Sequence, residues 1–279
     1  MKTLCPGIHA GISFADYLDV DGVNHTKLHA FRRTPAHAHW AMTHPEEDTD
    51  SLRVGDAVHV AVLEPERFER EYVKAPKFNK RTNAGKADAA QWVKDHPTQA
   101  ALLPEEWDLA VALRDAVRAN PIARQILSGV GHNELTAIWK DPTTSLICKG
   151  RIDRLTTYRD YSTVVDIKTA RDAGRRAFAK AVYDYGYNSQ AAYYLDGLNI
   201  LSPRSRRFFH IVAEKEPPYC VALYELDPPA IEEGRRRYRR ALDQFAECQM
   251  TGVWPGYPAD VDALDIPKWS YEFVDPSQV

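Results

Sequence analysis

Two apolar runs, SLICKGRIDRLTTY (145–158) and STVVDIKT (162–169), are separated by only three residues. A connection that short can join neighbouring antiparallel strands but leaves no room for a crossover, so this part of the chain must form a hairpin within a sheet. A turn through Arg159 and Asp160 pairs Tyr158 with Tyr161 and, counting back, sets Asp153 opposite Asp166. Facing residues in such a ladder have Cβ atoms about 4.5–5.5 Å apart. Residues two apart share a face, so Asp166 lies beside Lys168 while Val165 and Ile167 point the other way. Two facing carboxylates inside a sheet need a shared proton or a cation. A divalent cation with hard oxygen ligands would be Mg²⁺ or Mn²⁺ rather than zinc, and Lys168 would be its electrostatic partner. The pattern has a plainer reading too, with Asp153 paired to Arg151 or Arg154 on a wet sheet face and Lys168 a surface lysine. Spacing alone does not separate the two.

The flanking sequence says what surrounds the hairpin. Helical periodicity runs through 24–42, 50–68, KADAAQWVKDH and 104–127, and after Gly131 the period shortens to that of strands. Five strands (NELTAIWKD, the two hairpin arms, RRFFHIVAEK and YCVALYEL), a helix at NSQAAYYLDGLNIL and a last helix at PPAIEEGRRRYRRALDQFAEC follow. The expected fold class is α/β, a mixed central β-sheet flanked by helices, with a helical N-terminal part. The whole of 1–279 reads as one domain: a mostly helical part at 1–130, the core at 131–250 and a Trp/Pro-rich tail at 251–279. No repeat or low-complexity tract interrupts it, and 279 residues suffice for a substantial core.

Composition narrows the functional classes. No segment approaches the roughly 20 apolar residues of a membrane span, and the N-terminus has no secretory apolar region, so an intracellular protein without a membrane partner is expected. The four cysteines show no C-x-x-C spacing and suggest neither a zinc ribbon nor a disulfide framework. A net charge of −3 argues against a chain coated all over in nucleic acid. Basic runs at 77–81, 204–207 and 235–240 nevertheless leave room for a local basic groove, although the last could be only a solvated helix face. NAGK (83–86) lacks the first glycine of a phosphate-binding loop.

GRIDR, then VVDIKTA, then a helix carrying Gln190 and Tyr194 in QAAYY, resembles the core of the PD-(D/E)XK nuclease superfamily in its RecB-like branch. The order of VNHTKLHAFRRTPAHAHWAM, VGDAVHVAVLEPERFEREYV and KRTNAGKADAAQWV is similar to the exodeoxyribonuclease VIII (RecE-type) nuclease domain, and PKW at 267–269 fits that family's ending. The resemblance implies a restriction-endonuclease-like core in which Asp153, Asp166 and Lys168 are catalytic. It further implies that His59, within AVHVAVL, joins the two aspartates at the metal. By spacing alone that histidine would more often be a buried core residue, and the resemblance is what turns the reading toward a ligand. Gln190 and Tyr194, four apart on one helix face, would lie near the metal or the DNA backbone, or else form a polar cap over the sheet. Glu134 is a further acidic candidate for the metal, and Arg81, Lys86 and Arg151 are candidate DNA contacts. The iron–sulfur cluster of some RecB-like relatives has no matching cysteine pattern here.

The activity implied is Mg²⁺-dependent (with Mn²⁺ as a substitute) hydrolysis of linear double-stranded DNA from the 5′ end, by a ring-shaped homo-oligomer that could work with a single-strand annealing protein in a bacterial or phage setting. Alternatives are an endonuclease or branched-DNA nuclease on the same fold, and a DNA-binding protein that has lost the chemistry.

Overall fold

The computed structural model describes residues 4–44, 50–79 and 81–265. It begins with β1 (Gly7–His9), α1 (Phe14–Asp19), α2 (His25–His29), α3 (Pro35–Thr43), α4 (Asp50–Leu63) and α5 (Pro65–Glu71). Strand β2 (Tyr72–Lys74), α6 (Asn83–Asp95), β3 (Ala100–Leu102), α7 (Pro104–Ala119) and α8 (Pro121–Ser128) complete the N-terminal part. Each of the three long helical runs read from the sequence is broken where a proline intervenes. A proline lacks the amide donor and clashes with the preceding turn, so Pro35, Pro65 and Pro121 each start a new helix instead of continuing the old one. Side-chain caps make two of the breaks sharp. Thr34 Oγ1 accepts from the His37 amide at 3.3 Å, and Asn120 Oδ1 accepts from the Ile122 and Ala123 amides at 3.1 Å.

The second half supplies β4 (Gly131–Lys140), β5 (Ile147–Tyr158), β6 (Tyr161–Ala170), α9 (Arg175–Asp184), α10 (Tyr187–Leu201), β7 (Arg206–Glu214), β8 (Val221–Glu225) and α11 (Pro228–Thr251). All five strands expected after Gly131 are present. Helix α9, the short edge strand β1 and the parallel pair β2–β3 are additions that the sequence reading lacks. The six-stranded sheet has the order β1-β4-β5-β6-β7-β8, with β6 and β7 parallel and the other neighbours antiparallel. The parallel step needs a long connection, and α9 and α10 provide it. PKW lies outside the described residues.

Both faces of the sheet are buried. Val164, Ile152 and Trp139 pack with Tyr193 and Leu198 of α10 and with Tyr238 and Leu242 of α11. On the other face Val165 and Ile167 pack with Val58 and Ala61 of α4 and Leu113 of α7. This is why STVVDI reads as a nearly continuous apolar run: a strand covered on both sides has no wet face to alternate with. Ile167 is fully buried, and truncating it to alanine would cost about 2–5 kcal/mol.

Lys149 on β5 ties the end of α1 to the sheet. Its buried ammonium donates to the carbonyls of Tyr17 (2.8 Å), Leu18 (3.2 Å) and Val20 (2.6 Å), which satisfies the orphan acceptors where α1 ends. Burial, with Lys27 nearby, lowers the Lys149 pKa to about 8.

Candidate active site at a strand fork

The hairpin turns where the sequence places it. Arg159 and Asp160 both have positive φ, 48° and 66°, the pattern of a two-residue turn whose twist suits antiparallel strands. The ladder runs from Tyr158↔Tyr161 to Arg154↔Val165 and then stops. Asp153 therefore does not pair with Asp166 as simple counting expects. Beyond Arg154 the strands part, and Asp153 Oδ2 instead accepts the Ile167 amide at 2.8 Å.

On its other side β5 loses a rung at the same residue. Pairing with β4 includes Asn133↔Arg154 and Leu135↔Ile152 but omits Glu134 and Asp153 between them. Glu134 has φ 52°, a left-handed conformation that is costly for a residue with a Cβ. A break of this kind re-aims side chains that a regular strand would send to opposite faces or bury. Both carboxylates consequently point toward α4.

Helix α4 supplies the third group. His59 Nδ1 is 3.4 Å from Asp153 Oδ2. One donor atom from each of His59, Glu134 and Asp153 lies within 4.8 Å of the others. Among the described residues no other group of three or more His, Cys, Asp or Glu side chains is gathered so closely. The cluster lines a cavity of about 270 Å³ shared with Asp56, Arg67 and Tyr72. Burial raises the Asp153 pKa from the usual 3.8 to about 6, and the Asp166 and Glu134 carboxylates add to the rise against the opposition of His59 and Lys168. An imidazole and two crowded carboxylates, one held short of easy ionisation, are what a divalent cation would stabilise. The donor set fits such an ion.

Asp166 and Lys168 occupy the α10 side of the fork. Lys168 Nζ lies 2.9 Å from Asp166 Oδ1 and 2.7 Å from Oδ2, and it donates to Gln190 Oε1 at 3.3 Å. Burial by itself would depress the Lys168 pKa. Asp166 and Asp153 outweigh it and hold the ammonium above the usual lysine value, so Lys168 is charged at neutral pH. Gln190 Nε2 in turn donates to the Tyr194 hydroxyl at 3.4 Å. Tyr194 is buried against Gly150, where an added Cβ would come within 2.8 Å of its ring. Gln190 and Tyr194 thus back Lys168 and do not belong to the His59 cluster.

The basic candidates separate. Arg151 lines the cavity, but its guanidinium donates to Glu134 at 2.6 Å and to the Ile12 carbonyl at 3.0 Å. It fixes Glu134. Arg81 and Lys86 are exposed at the start of α6 and do not line the cavity. Two neighbours escaped the sequence reading. His210, on β7, has Nε2 3.8 Å from Asp166 Oδ2, and burial lowers its pKa to about 4, so it is neutral. The Tyr187 ring lies under Lys168 Nζ at 4.6 Å. No local motif marks either residue; only the parallel register Asp166↔His210 and the crossover bring them in.

Comparison with known proteins bears on the family and the fold. Residues 24–266 match the family model of a PDDEXK-like domain of unknown function, DUF3799. No curated protein matches the sequence. Among solved structures, the chain is similar to a candidate exonuclease from Eubacterium rectale, with TM-score 0.56 and 14% identity over 88% of this chain and 89% of that one. At that identity the likeness bears on fold alone. A crystal structure of SSO0001 is more distant, with TM-score 0.35 and 14% identity over 80% of this chain and 74% of that one. No described helix is long and apolar enough to cross a membrane.

Proposed function

The chain belongs to the PDDEXK-like family DUF3799, and on that premise we propose that it is a Mg²⁺-dependent DNA exonuclease of the RecE type. The observation that carries the reading is the convergence of His59, Glu134 and Asp153 within 4.8 Å, with the charged Lys168 held on the neighbouring strand. In this reading His59, Glu134 and Asp153 hold the ion and Asp166 joins them. A divalent cation so held supplies a Lewis acid and lowers the pKa of bound water. His59 binds as neutral imidazole. Arg151 keeps the Glu134 carboxylate oriented through its 2.6 Å contact. Lys168, protonated at neutral pH, serves as a preorganised positive charge for the phosphate and not as a general base. Gln190, with Tyr194 behind it, restrains where that ammonium sits.

The substrate in this proposal is linear duplex DNA degraded from the 5′ end, in support of recombination by strand annealing. A ring of identical subunits and contacts from Arg81 and Lys86 are part of the same proposal. Digestion of a linear duplex labelled at either end, beside a closed circle, with Mg²⁺ and with EDTA, tests it. Mg²⁺-dependent loss of the 5′ label with the circle intact is expected. A cut circle would replace the exonuclease reading with an endonuclease one, and DNA bound but never cut would remove the enzyme reading.

A further inference from the structure

A second cavity is lined by Lys168 and does not include His59. It has a volume of about 500 Å³ and is bounded by the end of β6, by α9 and by the loop that leads into α10. That is the size range of a small-ligand site. Its floor is made of small or buried side chains, Ala177, Phe178 and Ala181 of α9. The i, i+4 alanines leave the space open. Tyr185 stands at the edge, 62% exposed, with its ring centroid 5.6 Å from that of Tyr187 at an interplanar angle of 30°. Tyr187 is the ring beneath Lys168.

The rim is basic. Arg171 and Lys215 line it, and Arg175 and Arg176 follow on the exposed start of α9. The opposing acid in the lining is Asp172, whose carboxylate accepts the Gly174 amide at 2.7 Å. Hydrophobic packing explains Phe178 and Val182. It does not explain an exposed tyrosine held beside a hollow next to a buried, charged lysine.

Exposed aromatic faces combined with a basic rim suit a nucleic-acid strand, because each base offers a π-face and each linkage a phosphate. A base inside a duplex has both faces covered by its neighbours. An aromatic partner is therefore open to an unpaired base, or to the outer face of a terminal pair, and not to a base within the duplex. We propose that the cavity between β6 and α9 is a nucleotide subsite that takes one unpaired base of the DNA strand against Tyr185, with the adjoining phosphates on Arg171 and Lys215. The inference rests on the nuclease reading and adds to it a stacking partner, Tyr185, for a base beside Lys168.

The test is binding of a short dye-labelled single strand and of a duplex closed at both ends by non-nucleotide linkers, followed by fluorescence anisotropy with Ca²⁺ in place of Mg²⁺ to suppress cleavage. Tyr185→Ala should weaken single-strand binding by about tenfold while changing binding of the end-closed duplex by less than about twofold, and Tyr185→Phe should restore it. Because Tyr185 is largely exposed, both variants should melt like the wild type. A parallel Mg²⁺ digestion of linear DNA separates the two claims. If the wild type cleaves but Tyr185→Ala binds single strands normally, or loses both ligands equally, the subsite is wrong and the nuclease reading stands. If the wild type neither cleaves nor binds DNA, the nuclease reading fails and the subsite fails with it.

Discussion

Asp153→Asn should make the metal-free protein more stable, although it removes a central residue of the site. The side chain is 14% exposed and its carboxyl titrates near 6 where 3.8 is usual. The folded value lies above the unfolded one, so between about pH 4 and 6 the folded chain keeps a proton that the unfolded chain gives up. Stability in chelator therefore falls as pH rises through that window and stays low above it. The displacement corresponds to about 3 kcal/mol against the ionised form at pH 8. Asparagine is isosteric and neutral, and its Oδ1 can still accept the Ile167 amide that Asp153 takes at 2.8 Å. With EDTA at pH 8 the variant should melt higher by on the order of 5 °C, and the two proteins should converge near pH 4. With Mg²⁺ at about a hundred times its Kd the difference should nearly vanish, since ion binding adds about 2.7 kcal/mol to the wild type and little to the variant. Scanning calorimetry across pH, with and without Mg²⁺, reads all of this. A variant less stable than the wild type in EDTA at pH 8 would refute the reasoning, because it would mean that the carboxylate is not crowded.

Lys168→Ala should slow cleavage by about 10²–10³-fold, the scale of one preorganised charge, and raising the pH should not rescue it; near-normal turnover in a gel assay would dismiss the role. Gln190→Ala should leave Mn²⁺ affinity, read by calorimetry, within about twofold while lowering turnover, since Gln190 touches Lys168 and not the His59 cluster. Lys149→Met should cost about 2–4 kcal/mol in a urea melt by orphaning the carbonyls of Tyr17, Leu18 and Val20. Replacing Arg159 by Asn and Asp160 by Gly together should stabilise the protein by about 1 kcal/mol, because both positions have positive φ; a loss of stability would contradict the turn assignment.

The sequence carried much of the fold because the second half has strong local signals. A two-residue turn, an apolar strand buried on both faces and a change of period at Gly131 each have a single structural meaning. The helical half was less legible in its boundaries, since Pro35, Pro65 and Pro121 break runs whose apolar spacing continues across them. At the site, parity along β6 correctly separates Asp166 and Lys168 from Val165 and Ile167. Parity fails for Asp153, because the left-handed Glu134 and the parting of β5 from β6 re-aim a carboxylate that a regular ladder would send elsewhere. His59 meets Asp153 only through tertiary packing of α4, and no spacing encodes that, whereas Glu134 reaches it from the neighbouring strand β4. The basic residues show a similar limit: Arg151 reads as a candidate DNA contact in sequence, and the fold commits its guanidinium to Glu134 and the Ile12 carbonyl.

The claim on which the rest depends is that this fork holds a divalent cation. Crystals soaked in Mn²⁺ and measured for anomalous scattering test it directly. The expected result is a peak among His59, Glu134 and Asp153 that disappears in Asp153→Asn crystals. A peak that persists in those crystals, or Mn²⁺ bound only elsewhere, would contradict the account.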